Sequence, residues 1–571
     1  SCGRCHTGSS KFEATPILAD GRLYLSTALN RVMALDPASG RTLWLYDPHL
    51  KLDLDRNEGF VSRGVAFWAD RGRTKGACAH RIFYGTVDAR LLALDAASGK
   101  PCRDFGESGT VHLDRDVGRV KEGQYGVTSP PAVVGDVVVV GSSIGDNRRV
   151  DLEHGTVRGF DARSGRELWS FDPIPRSPAD SFYRTWDSTA ARVTGAANAW
   201  APLSADTALG LVFVPTGSPA PDFYGGLRPG DNRYANSVVA LEARTGRVRW
   251  SFQVVHHDLW DFDVPAQPTL LVVPKDGRNV PAVAVPTKMG HIFLLDRATG
   301  QPLFPVEERP VPASDVPGEV ASPTQPFPTR PAPLFQHPLT RDEIWGVTPE
   351  ERQVCLAQFD AMRSGPLFTP PSLQGTVMFP GYAGGTTWGS ASWAPEHDLL
   401  ITNLMRIPLW VRLERRRDAD SSGNQIGTPY RMSRAMLASP KGLPCSRPPW
   451  GALVAIDLVT GRQRWQVPLG QIPELDSVPG SAEWGSPNLG GSMVTAGDLV
   501  FIGAGMDNYL RAFDLETGKQ LWKGPLPAGG QATPMTYEAG GRQYVVIAAG
   551  GNGNLGTTFG DWVVAFALPS P

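Results

Sequence analysis

A dense run of potentially reactive side chains occupies the stretch HHDLWDFD, from His256 to Asp263. Within these positions the run combines two histidines, three aspartates, a tryptophan and a phenylalanine. Imidazole and carboxylate groups at this density can bind a metal ion or take a proton from a substrate. They can equally form the polar end of a buried strand. The run alone therefore leaves a metal site, a catalytic site and a structural role open.

The overall composition narrows the classes of partner. The 571 residues include 55 Lys and Arg against 57 Asp and Glu, and the dense basic residues are confined to the short Arg415 to Arg417 cluster. This balance argues against a nucleic-acid track or a polybasic membrane anchor and favours a small-molecule partner. No stretch approaches the ~18 consecutive apolar residues of a membrane-spanning helix. The opening residues SCGRCHTGSS lack the apolar segment of a signal peptide, so any targeting segment or anchor is expected outside this sequence.

A repeated phrase organises the chain. Each copy predicts a strand that ends in an acid, a tight turn whose glycine adopts a positive φ, and a returning strand whose aromatic residue packs between sheets. The seven copies are ALDPASGRTLW (ending at Trp44), ALDAASGKPCR (Arg103), GFDARSGRELW (Trp169), ALEARTGRVRW (Trp250), LLDRATGQPLF (Phe304), AIDLVTGRQRW (Trp465) and AFDLETGKQLW (Trp522).

The spacing of these copies predicts the fold class. Most intervals between the turn glycines suit one four-stranded unit, and the long interval from Gly300 to Gly461 leaves room for an eighth, which we place around Gly385 to Leu404. Radially repeated units of this kind form an all-β, eight-bladed β-propeller of four-stranded antiparallel sheets with loop insertions. An extended solenoid is the less favoured arrangement.

The domain boundaries follow from the same repeat. We expect the propeller to span residues 12–571, with residues 1–11 as an N-terminal segment interpreted as a truncation remnant. The proline-rich insertion Val306 to Pro371 shows little periodicity, so we expect it to form loops over one face of the propeller.

The cysteines leave the redox state open. Cys78 and Cys102 could meet across neighbouring strands, and Cys355 and Cys445 could do the same, which would fit an oxidising compartment. Four free buried thiols are an equally good interpretation of the same sequence.

The stretches between the repeats resemble the pyrroloquinoline quinone (PQQ) dependent dehydrogenases. The resemblance is closest to the periplasmic domain of membrane-bound glucose dehydrogenase and its quinate and polyol relatives, and it covers nearly everything from Phe12 to Pro569. It is carried by long, ordered motifs, among them SRGVAFW, YGVTSPPAVV, VVHHDLWDFDVPAQPTL, SPTQPF, FTPPSLQGTVMFPG and DNYLRAFDLETGKQLWKGPLPAGGQATPMTYEAGGRQYVVIAAGG. The fold that it implies, an eight-bladed propeller, agrees with the count of repeats.

The resemblance implies roles for two residues of the reaction centre. Asp261 matches the catalytic base, a carboxylate that accepts the substrate hydroxyl proton and lies close to the Ca²⁺ ion of the cofactor. Lys288 matches the basic residue that hydrogen-bonds the quinone oxygens and stabilises the charge that develops on them. For His256, His257 and Asp258 we favour structural hydrogen bonding over metal ligation.

Four further residues match cofactor contacts of the family. Arg63 matches the arginine that pairs with a cofactor carboxylate, and Thr128 fits a hydrogen-bonding contact. Trp200 matches the tryptophan that forms the floor under the planar cofactor, and Trp484 lies where the last blades approach it.

Metal ligation is where this sequence departs from the family pattern. Glu153 falls at the position of the usual glutamate ligand, but Ser218 occupies the position of the usual asparagine. Coordination is then expected to rely on waters or on Asp146 and Asn147, with Ca²⁺ as the predicted ion and Mg²⁺ as the alternative.

Two other departures affect specificity and cofactor content. The upper face of the cofactor lacks both the adjacent-cysteine disulfide and the histidine of relatives, because Asn57, Glu58, Gly59 and Phe60 occupy that neighbourhood. Substrate preference is therefore not transferred from the glucose enzyme.

Cys2, Cys5 and His6 spell the CxxCH haem-attachment pattern, but propeller sequence begins within about ten residues of it. We interpret the pattern as a chance motif or a remnant and expect no covalent haem c.

The resulting hypothesis is a periplasmic quinoprotein dehydrogenase. It would oxidise a sugar, polyol or cyclic alcohol and pass electrons to a membrane quinone or cytochrome c, with membrane association through a segment outside this sequence. The alternative is a non-catalytic propeller scaffold that binds protein or polysaccharide, which Ser218 and the missing cover residue favour.

Overall fold

The computed structural model describes residues 10–56, 58–335, 338–417 and 422–569. Nearly all regular structure in these ranges is antiparallel sheet, and the two α-helices are α1 (Ala190–Val193) and α2 (Pro349–Asp360). Short 3-10 turns cover Tyr183–Thr185, Arg341–Glu343, Pro395–His397, Pro473–Leu475 and Ser481–Glu483. Within the described ranges, no helix combines the length and apolarity that crossing a bilayer requires.

The strands of the first half follow one another at short intervals. In chain order they are β1 (Ser10–Phe12), β2 (Ile17–Ala19), β3 (Arg22–Ser26), β4 (Val32–Leu35), β5 (Thr42–Tyr46), β6 (Phe60–Ser62), β7 (Ala66–Ala69), β8 (His80–Gly85), β9 (Arg90–Asp95), β10 (Thr110–His112), β11 (Tyr125–Gly126), β12 (Ala132–Val134), β13 (Val137–Val140), β14 (Ser143–Ile144), β15 (Val157–Asp161), β16 (Glu167–Phe171), β17 (Ser204–Asp206), β18 (Leu211–Pro215), β19 (Ser237–Glu242) and β20 (Val248–Gln253).

The second half continues the pattern with longer connections. Its strands are β21 (Thr269–Lys275), β22 (Arg278–Pro286), β23 (Ile292–Asp296), β24 (Val306–Pro310), β25 (Thr324–Pro328), β26 (Thr376–Met378), β27 (Ala391–Ala394), β28 (Leu399–Met405), β29 (Leu409–Arg415), β30 (Tyr430–Met436), β31 (Gly451–Asp457), β32 (Gln463–Pro468), β33 (Ser492–Val494), β34 (Leu499–Ile502), β35 (Tyr509–Asp514), β36 (Gln520–Pro525), β37 (Met535–Ala539), β38 (Arg542–Ala549) and β39 (Trp562–Phe566).

Eight of the sheets are the repeated blades, which confirms the predicted all-β, eight-bladed propeller. Six blades have four strands, whereas blades 5 and 8 have three. In blade 5 the fourth strand is reduced to one bridge between Leu295 and Pro302, because the prolines of this segment cannot donate to a ladder. The blades are, in order, β2–β5, β7–β10, β12-β13-β15-β16, β17–β20, β21–β23, β27-β28-β31-β32, β33–β36 and β37–β39.

The position predicted for the eighth unit was wrong, although the number of units was right. Residues 385–404 supply β27 and most of β28, and these strands pair with β31 and β32, which flank the turn at Gly461. The long interval between turn glycines therefore holds insertions within blade 6. The eighth blade is the C-terminal sheet β37–β39, which carries no copy of the repeated phrase.

The repeated phrase joins each blade to the next. All seven turn glycines have φ between 68° and 72°. In these turns a Ser or Thr hydroxyl or a backbone N–H donates a hydrogen bond to the carboxylate of the acid. Four repeat tryptophans stack on the turn glycine of the following copy and donate an indole hydrogen bond to a carbonyl there. These pairs are Trp44 with Ala96 (3.1 Å), Trp169 with Ala243 (2.8 Å), Trp250 with Arg297 (3.1 Å) and Trp465 with Leu515 (2.8 Å).

The tryptophan of the seventh copy, Trp522, behaves differently because blade 8 has no such turn. Trp522 is 38% exposed and packs edge-on against Phe566, with ring centroids 5.0 Å apart. Blades 8 and 1 instead meet through an apolar cluster that includes Leu23 and Ile547, and the Tyr537 hydroxyl donates to the carbonyl of Pro37 at 2.9 Å. These contacts close the ring.

The insertion predicted as loops contains regular structure. It forms the hairpin β24–β25 and helix α2, which begins at Pro349 after the N-cap Thr348. A second insertion, the hairpin β29–β30, pairs with β26 in a separate three-stranded sheet. The disulfide Cys355–Cys445 joins α2 to the segment before β31, and Cys78–Cys102 lies in blade 2, so the disulfide alternative holds for these four cysteines.

A buried histidine lies where blade 5 meets the first insertion. The imidazole of His291 is fully buried and packs against the rings of Phe293, Phe327 and Phe368. Burial lowers the pKa of His291 to about 3, because the charged ring would lose its hydration among these aromatic side chains. The folded protein therefore holds this histidine neutral.

The stacking of tryptophan on glycine predicts the effect of one methyl group. A Cβ at Gly246 would lie 2.5 Å from the Trp169 ring, whereas a Cβ at Gly210, in the same blade and also at positive φ, would meet nothing within 4 Å. Gly210→Ala should cost only the left-handed strain, about 1–2 kcal/mol. Gly246→Ala should cost a further 1–3 kcal/mol or so from overpacking. Thermal unfolding of the two variants measures this difference, and equal losses would contradict the interlocking role of Gly246.

The buried histidine predicts a pH dependence of stability. The unfolded chain takes up a proton on His291 below pH 6.5 while the folded protein resists it down to about pH 3, so stability falls as the pH drops through this window. His291→Leu should remove roughly 1.4 kcal/mol per pH unit from that loss. Urea unfolding at a series of pH values measures the slope. Replacing His397, whose pKa is raised by Asp498, should leave the slope below pH 6.5 unchanged, because the stability that this histidine contributes is lost only as the pH rises above 6.5.

Candidate active site

A cavity of about 260 Å³ lies among the loops that connect the blades. Blades 1 to 5 contribute most of its wall, and the segment after β26, strand β30 and Asn554 of blade 8 contribute the remainder. The sequence-predicted residues Arg63, Thr128, Asp146, Trp200, Ser218, Asp261 and Lys288 all line it. The loop ends of the propeller thus bring together residues that are far apart in the sequence.

The centre of the cavity wall is a lysine held between two carboxylates. The Lys288 ammonium donates to Asp261 Oδ1 at 2.7 Å, to the Asp261 carbonyl at 2.6 Å and to Asp263 Oδ2 at 2.9 Å. Asp261 adopts φ +57° in the tight loop between β20 and β21, which turns its side chain toward Lys288. All three residues are buried.

The two carboxylates differ in their electrostatic environment. Burial raises the pKa of Asp261 well above its usual value, despite the opposing effect of Lys288. Burial also acts on Asp263, but Lys288 together with hydrogen bonds outweighs it and lowers the pKa. Burial likewise disfavours the charged form of Lys288, yet the two aspartates outweigh it and raise its pKa. Asp263 is thus the permanent counter-ion of Lys288, and Asp261 is suited to take up a proton.

The rest of the histidine-rich run is hydrogen-bonded to the protein. His256 contacts Gln253 and Glu308, at 2.8 and 3.1 Å, and His257 contacts Glu319 at 2.8 Å. Asp258 accepts from the backbone of Trp260 and Phe262 and from the Ser218 hydroxyl, at 2.6 Å for the latter. These contacts hold the loop that presents Asp261.

Arg63 and Trp200 lie side by side in the cavity wall. The Arg63 guanidinium donates to Thr128 Oγ1 at 2.9 Å and lies 3.0 Å from Glu13. It lies over the rings of Trp200 and Trp388, with 5.3 and 5.0 Å to their centroids. The Trp200 indole in turn donates to Asp263 at 3.2 Å, which connects this side to the lysine centre.

Three carboxylates converge on the opposite side. One ligand atom each from Asp146, Asp222 and Asp261 lies within 4.8 Å of the others. Burial, followed by the neighbouring carboxylates, raises the pKa of Asp222 well above its usual value, and burial with the charge of Glu58 raises that of Asp146 to about 6. A divalent cation among these oxygens would relieve this repulsion, and carboxylates are the ligands that Ca²⁺ prefers.

Several predicted metal ligands lie differently from expectation. Asn147 does not line the cavity but donates to Asp222 at 2.5 Å, so it orients a carboxylate of the cluster. The fully buried carboxylate of Glu153 is bound by Arg148 at 2.6 Å and by the backbone of Lys121, outside the cavity. The arrangement therefore does not support Glu153 as a ligand. The Ser218 hydroxyl lines the cavity but donates to Asp258.

Trp484 also lies outside the cavity. Its ring packs with Trp345 and Trp450, at 5.0 and 5.8 Å between centroids, because it belongs to the cluster under the insertion. Glu58 does line the cavity and pairs with Lys11 at 3.2 Å, whereas Asn57 and the motif Cys2, Cys5 and His6 lie outside the described residues.

Asp222 and Arg434 are among the cavity residues that the sequence interpretation missed. Asp222 lies in the segment SPAPDF, where no spacing distinguishes it from a loop aspartate. Arg434 reaches the cavity from β30 and donates to Asp261 Oδ2 at 3.1 Å. The alternation of Tyr430, Met432 and Arg434 on one face of a strand was the available signal for the second residue.

Comparison with known proteins gives this geometry a family. The model described as glucose/ethanol/alcohol dehydrogenase, beta-propeller domain (PQQ), matches residues 3–545. The chain belongs to this family. It is 41% identical to the quinoprotein glucose dehydrogenase of Escherichia coli (strain K12), over 98% of this chain and 72% of that protein. It is 38% identical to the quinate/shikimate dehydrogenase (quinone) of Acinetobacter baylyi, over 97% and 73%.

A solved structure supports the same assignment. The quinohemoprotein alcohol dehydrogenase from Comamonas testosteroni superposes with a TM-score of 0.69 at 25% identity, over 95% of this chain and 71% of that chain. The protein is thus a PQQ-dependent dehydrogenase, an oxidoreductase that acts on CH–OH groups.

The cavity of this quinoprotein fits its cofactor. PQQ is a planar ortho-quinone with three carboxylates, so its site needs cations and a flat apolar surface. Arg63 and Lys288 line the cavity together with the Trp200 indole. The Nε of Arg63 is buried and, within the described part of the chain, has no hydrogen-bond partner. A bound anion would satisfy it.

Proposed function

We propose that this PQQ-dependent dehydrogenase oxidises a hydroxyl group of a sugar, polyol or cyclic alcohol and passes the electrons to a membrane quinone or cytochrome c. The observation that carries this proposal is the buried Asp261 carboxylate, with one oxygen bound by Lys288 and the other facing the cavity wall at Arg434. The identities of the relatives support oxygen-rich substrates, since they act on glucose and on quinate or shikimate.

The roles of the residues follow from their contacts. Asp261 accepts the proton of the substrate hydroxyl, while Lys288 holds the carboxylate in place and would supply positive charge to stabilise a reduced quinone. When bound, PQQ supplies the acceptor for the hydride that leaves the carbinol carbon. Arg63 and Thr128 bind a cofactor carboxylate, and Trp200 supports the planar ring.

The carboxylate cluster is the proposed metal site. Asp146, Asp222 and Asp261 would hold Ca²⁺, with Mg²⁺ as the alternative ion, and Asn147 would orient Asp222. The three carboxylates would hold the ion through their like charges, and Ca²⁺ in this place would supply Lewis-acid chemistry. Ser218 and Glu153 drop out of this ligand set, because their polar groups are bound by Asp258 and Arg148.

The proposed location is the periplasm, which the two disulfides support because such bonds persist in oxidising compartments. Membrane association would come from a segment outside this sequence. Covalent haem is not part of the proposal. The scaffold alternative is not retained, because the family is enzymatic and the cavity concentrates three cations and five carboxylates that a scaffold does not need.

The proposed base predicts one sharp loss of activity. Asp261→Asn should lower kcat by roughly 10²- to 10⁴-fold, because the amide cannot accept the proton. Dye reduction with PQQ and Ca²⁺, scanned over aldoses, quinate, polyols and simple alcohols, measures the effect and identifies the substrate class. An absorbance titration should show PQQ still bound. Asp151→Asn, an exposed carboxylate elsewhere, is the control. A variant within about tenfold of wild type would place the base elsewhere.

The metal site predicts a contrast between two carboxylates. Asp222→Asn should weaken Ca²⁺ binding about tenfold or more, because affinity follows the number of charged ligands. Glu153→Gln should leave Ca²⁺ affinity unchanged and lower the thermal unfolding midpoint, because it removes a buried partner of Arg148. Calorimetric Ca²⁺ titration and thermal unfolding measure the two effects. The reverse pattern would restore Glu153 as the ligand and exclude Asp222.

A further inference from the structure

The two oxygens of the Asp261 carboxylate face different surroundings. Oδ1 is bound by Lys288, whose ammonium also contacts Asp263, the hydrogen-bond partner of Trp200. Oδ2 accepts from Arg434 at 3.1 Å. Because the Trp200 side is the proposed cofactor side, the reacting hydroxyl must approach through the half of the cavity that contains Oδ2 and Arg434.

The arginine is fixed by the insertion sheet. Its strand, β30, pairs with β29 so that Val411 lies opposite Arg434. Tyr430 and Met432, on the same face of β30, are buried in the core cluster and anchor the strand. The backbone that carries Arg434 is therefore held by packing rather than by the cavity.

The guanidinium is held in one plane by aromatic rings. Its central carbon lies 4.8 Å from the ring centroid of Tyr382 and 5.5 Å from that of Phe223. Within the described part of the chain its one hydrogen bond is that to Asp261, although a guanidinium has five N–H donors. The side chain is 32% exposed and lines the cavity, so its remaining donors are open to a ligand.

We propose that Arg434 determines specificity by binding a second substrate oxygen, on the carbon next to the one that is oxidised. This inference rests on the proposed function and names the substrate class as vicinal diols and their sugar or polyol equivalents. A hydroxyl at Asp261 Oδ2 brings its vicinal neighbour within reach of the guanidinium, since Oδ2 and Nη1 are themselves hydrogen-bonded.

The preference follows from the cost of leaving a partly buried charge without partners. A simple alcohol displaces water from Arg434 and gives it no acceptor, whereas a vicinal diol replaces that water with its second oxygen. A hydrogen bond from a charged donor in a partly buried site corresponds to roughly 10- to 100-fold in kcat/KM.

The test compares matched alcohols on the protein reconstituted with PQQ and Ca²⁺. The probes are 1,2-propanediol against 1-propanol and 1,3-propanediol, and cis-1,2-cyclohexanediol against cyclohexanol, followed by dye reduction. Wild type should favour the vicinal diols by roughly 10- to 100-fold. Arg434→Met should reduce this preference to within about threefold, chiefly through the KM for the diol, and Arg434→Lys should retain part of it.

A matched control and an independent readout separate specificity from structural damage. Arg415→Met alters an exposed arginine of the same hairpin and should keep the wild-type preference. Absorbance titration should show that Arg434→Met binds PQQ as wild type does. If Arg434→Met fails to fold, the wild-type ratios and Arg434→Lys decide.

Several outcomes would overturn the inference. A wild-type enzyme that oxidises simple alcohols as well as vicinal diols, or an Arg434→Met variant that keeps the diol preference, removes the role of Arg434 and leaves the proposed function intact. Loss of PQQ binding in Arg434→Met would make Arg434 a cofactor contact instead. If wild type oxidises no probe or sugar at all, the proposed function fails, and the inference fails with it.

Discussion

The contact on which the structure depends is the stacking of a tryptophan on the turn glycine of the next blade. Rings such as Trp169 lie so close to Gly246 that no Cβ fits between them, and each indole also donates a hydrogen bond to the adjoining turn. At four junctions between blades this contact fixes how closely the neighbouring sheets approach. The loops on the inside therefore meet in a fixed arrangement, and the cavity is where they meet.

The buried charged groups of the cavity are stabilised because groups of opposite charge bind them. Isolated charges are costly away from water, but Lys288 is bound between two aspartates and Arg63 between Glu13 and Thr128. The wall around Asp146 and Asp222 is different, because its carboxylates outnumber the nearby cations. Around Lys288 and Arg63 the charges of the protein are thus balanced by other protein groups. Around Asp146 and Asp222 the excess negative charge attracts a cation.

A feature of this structure can be predicted from the sequence when the residues that determine it lie close together in the chain. The repeat predicts the blades because each copy encodes its own turn, and it misplaces the eighth unit because blade 8 has no such turn. Motifs around Asp261, Lys288, Arg63 and Trp200 identify residues that do converge in the cavity.

Other contacts leave no local signature. Arg434 is 173 positions from Asp261 in the chain, and its contact depends on how the insertion sheet packs onto the propeller. Glu153 matches a ligand position in sequence, but its geometry is decided by Arg148 and Lys121, which bind its carboxylate. Which group binds such a carboxylate is visible only in the three-dimensional structure.

The disulfide Cys355–Cys445 and the sheet β26-β29-β30 belong to segments inserted between strands, outside the blade ladders. The wall that carries Lys288 and Trp200 is therefore built by the blades and their connecting loops, while the wall that carries Arg434 and Tyr382 is built by insertions. This division is modular. Insertions that carry substrate-selecting residues can change in length and chemistry, while the wall that carries Lys288 and Trp200 remains constrained by the ring of blades. One architecture can in this way diversify into many dehydrogenases without rebuilding its electron-accepting centre.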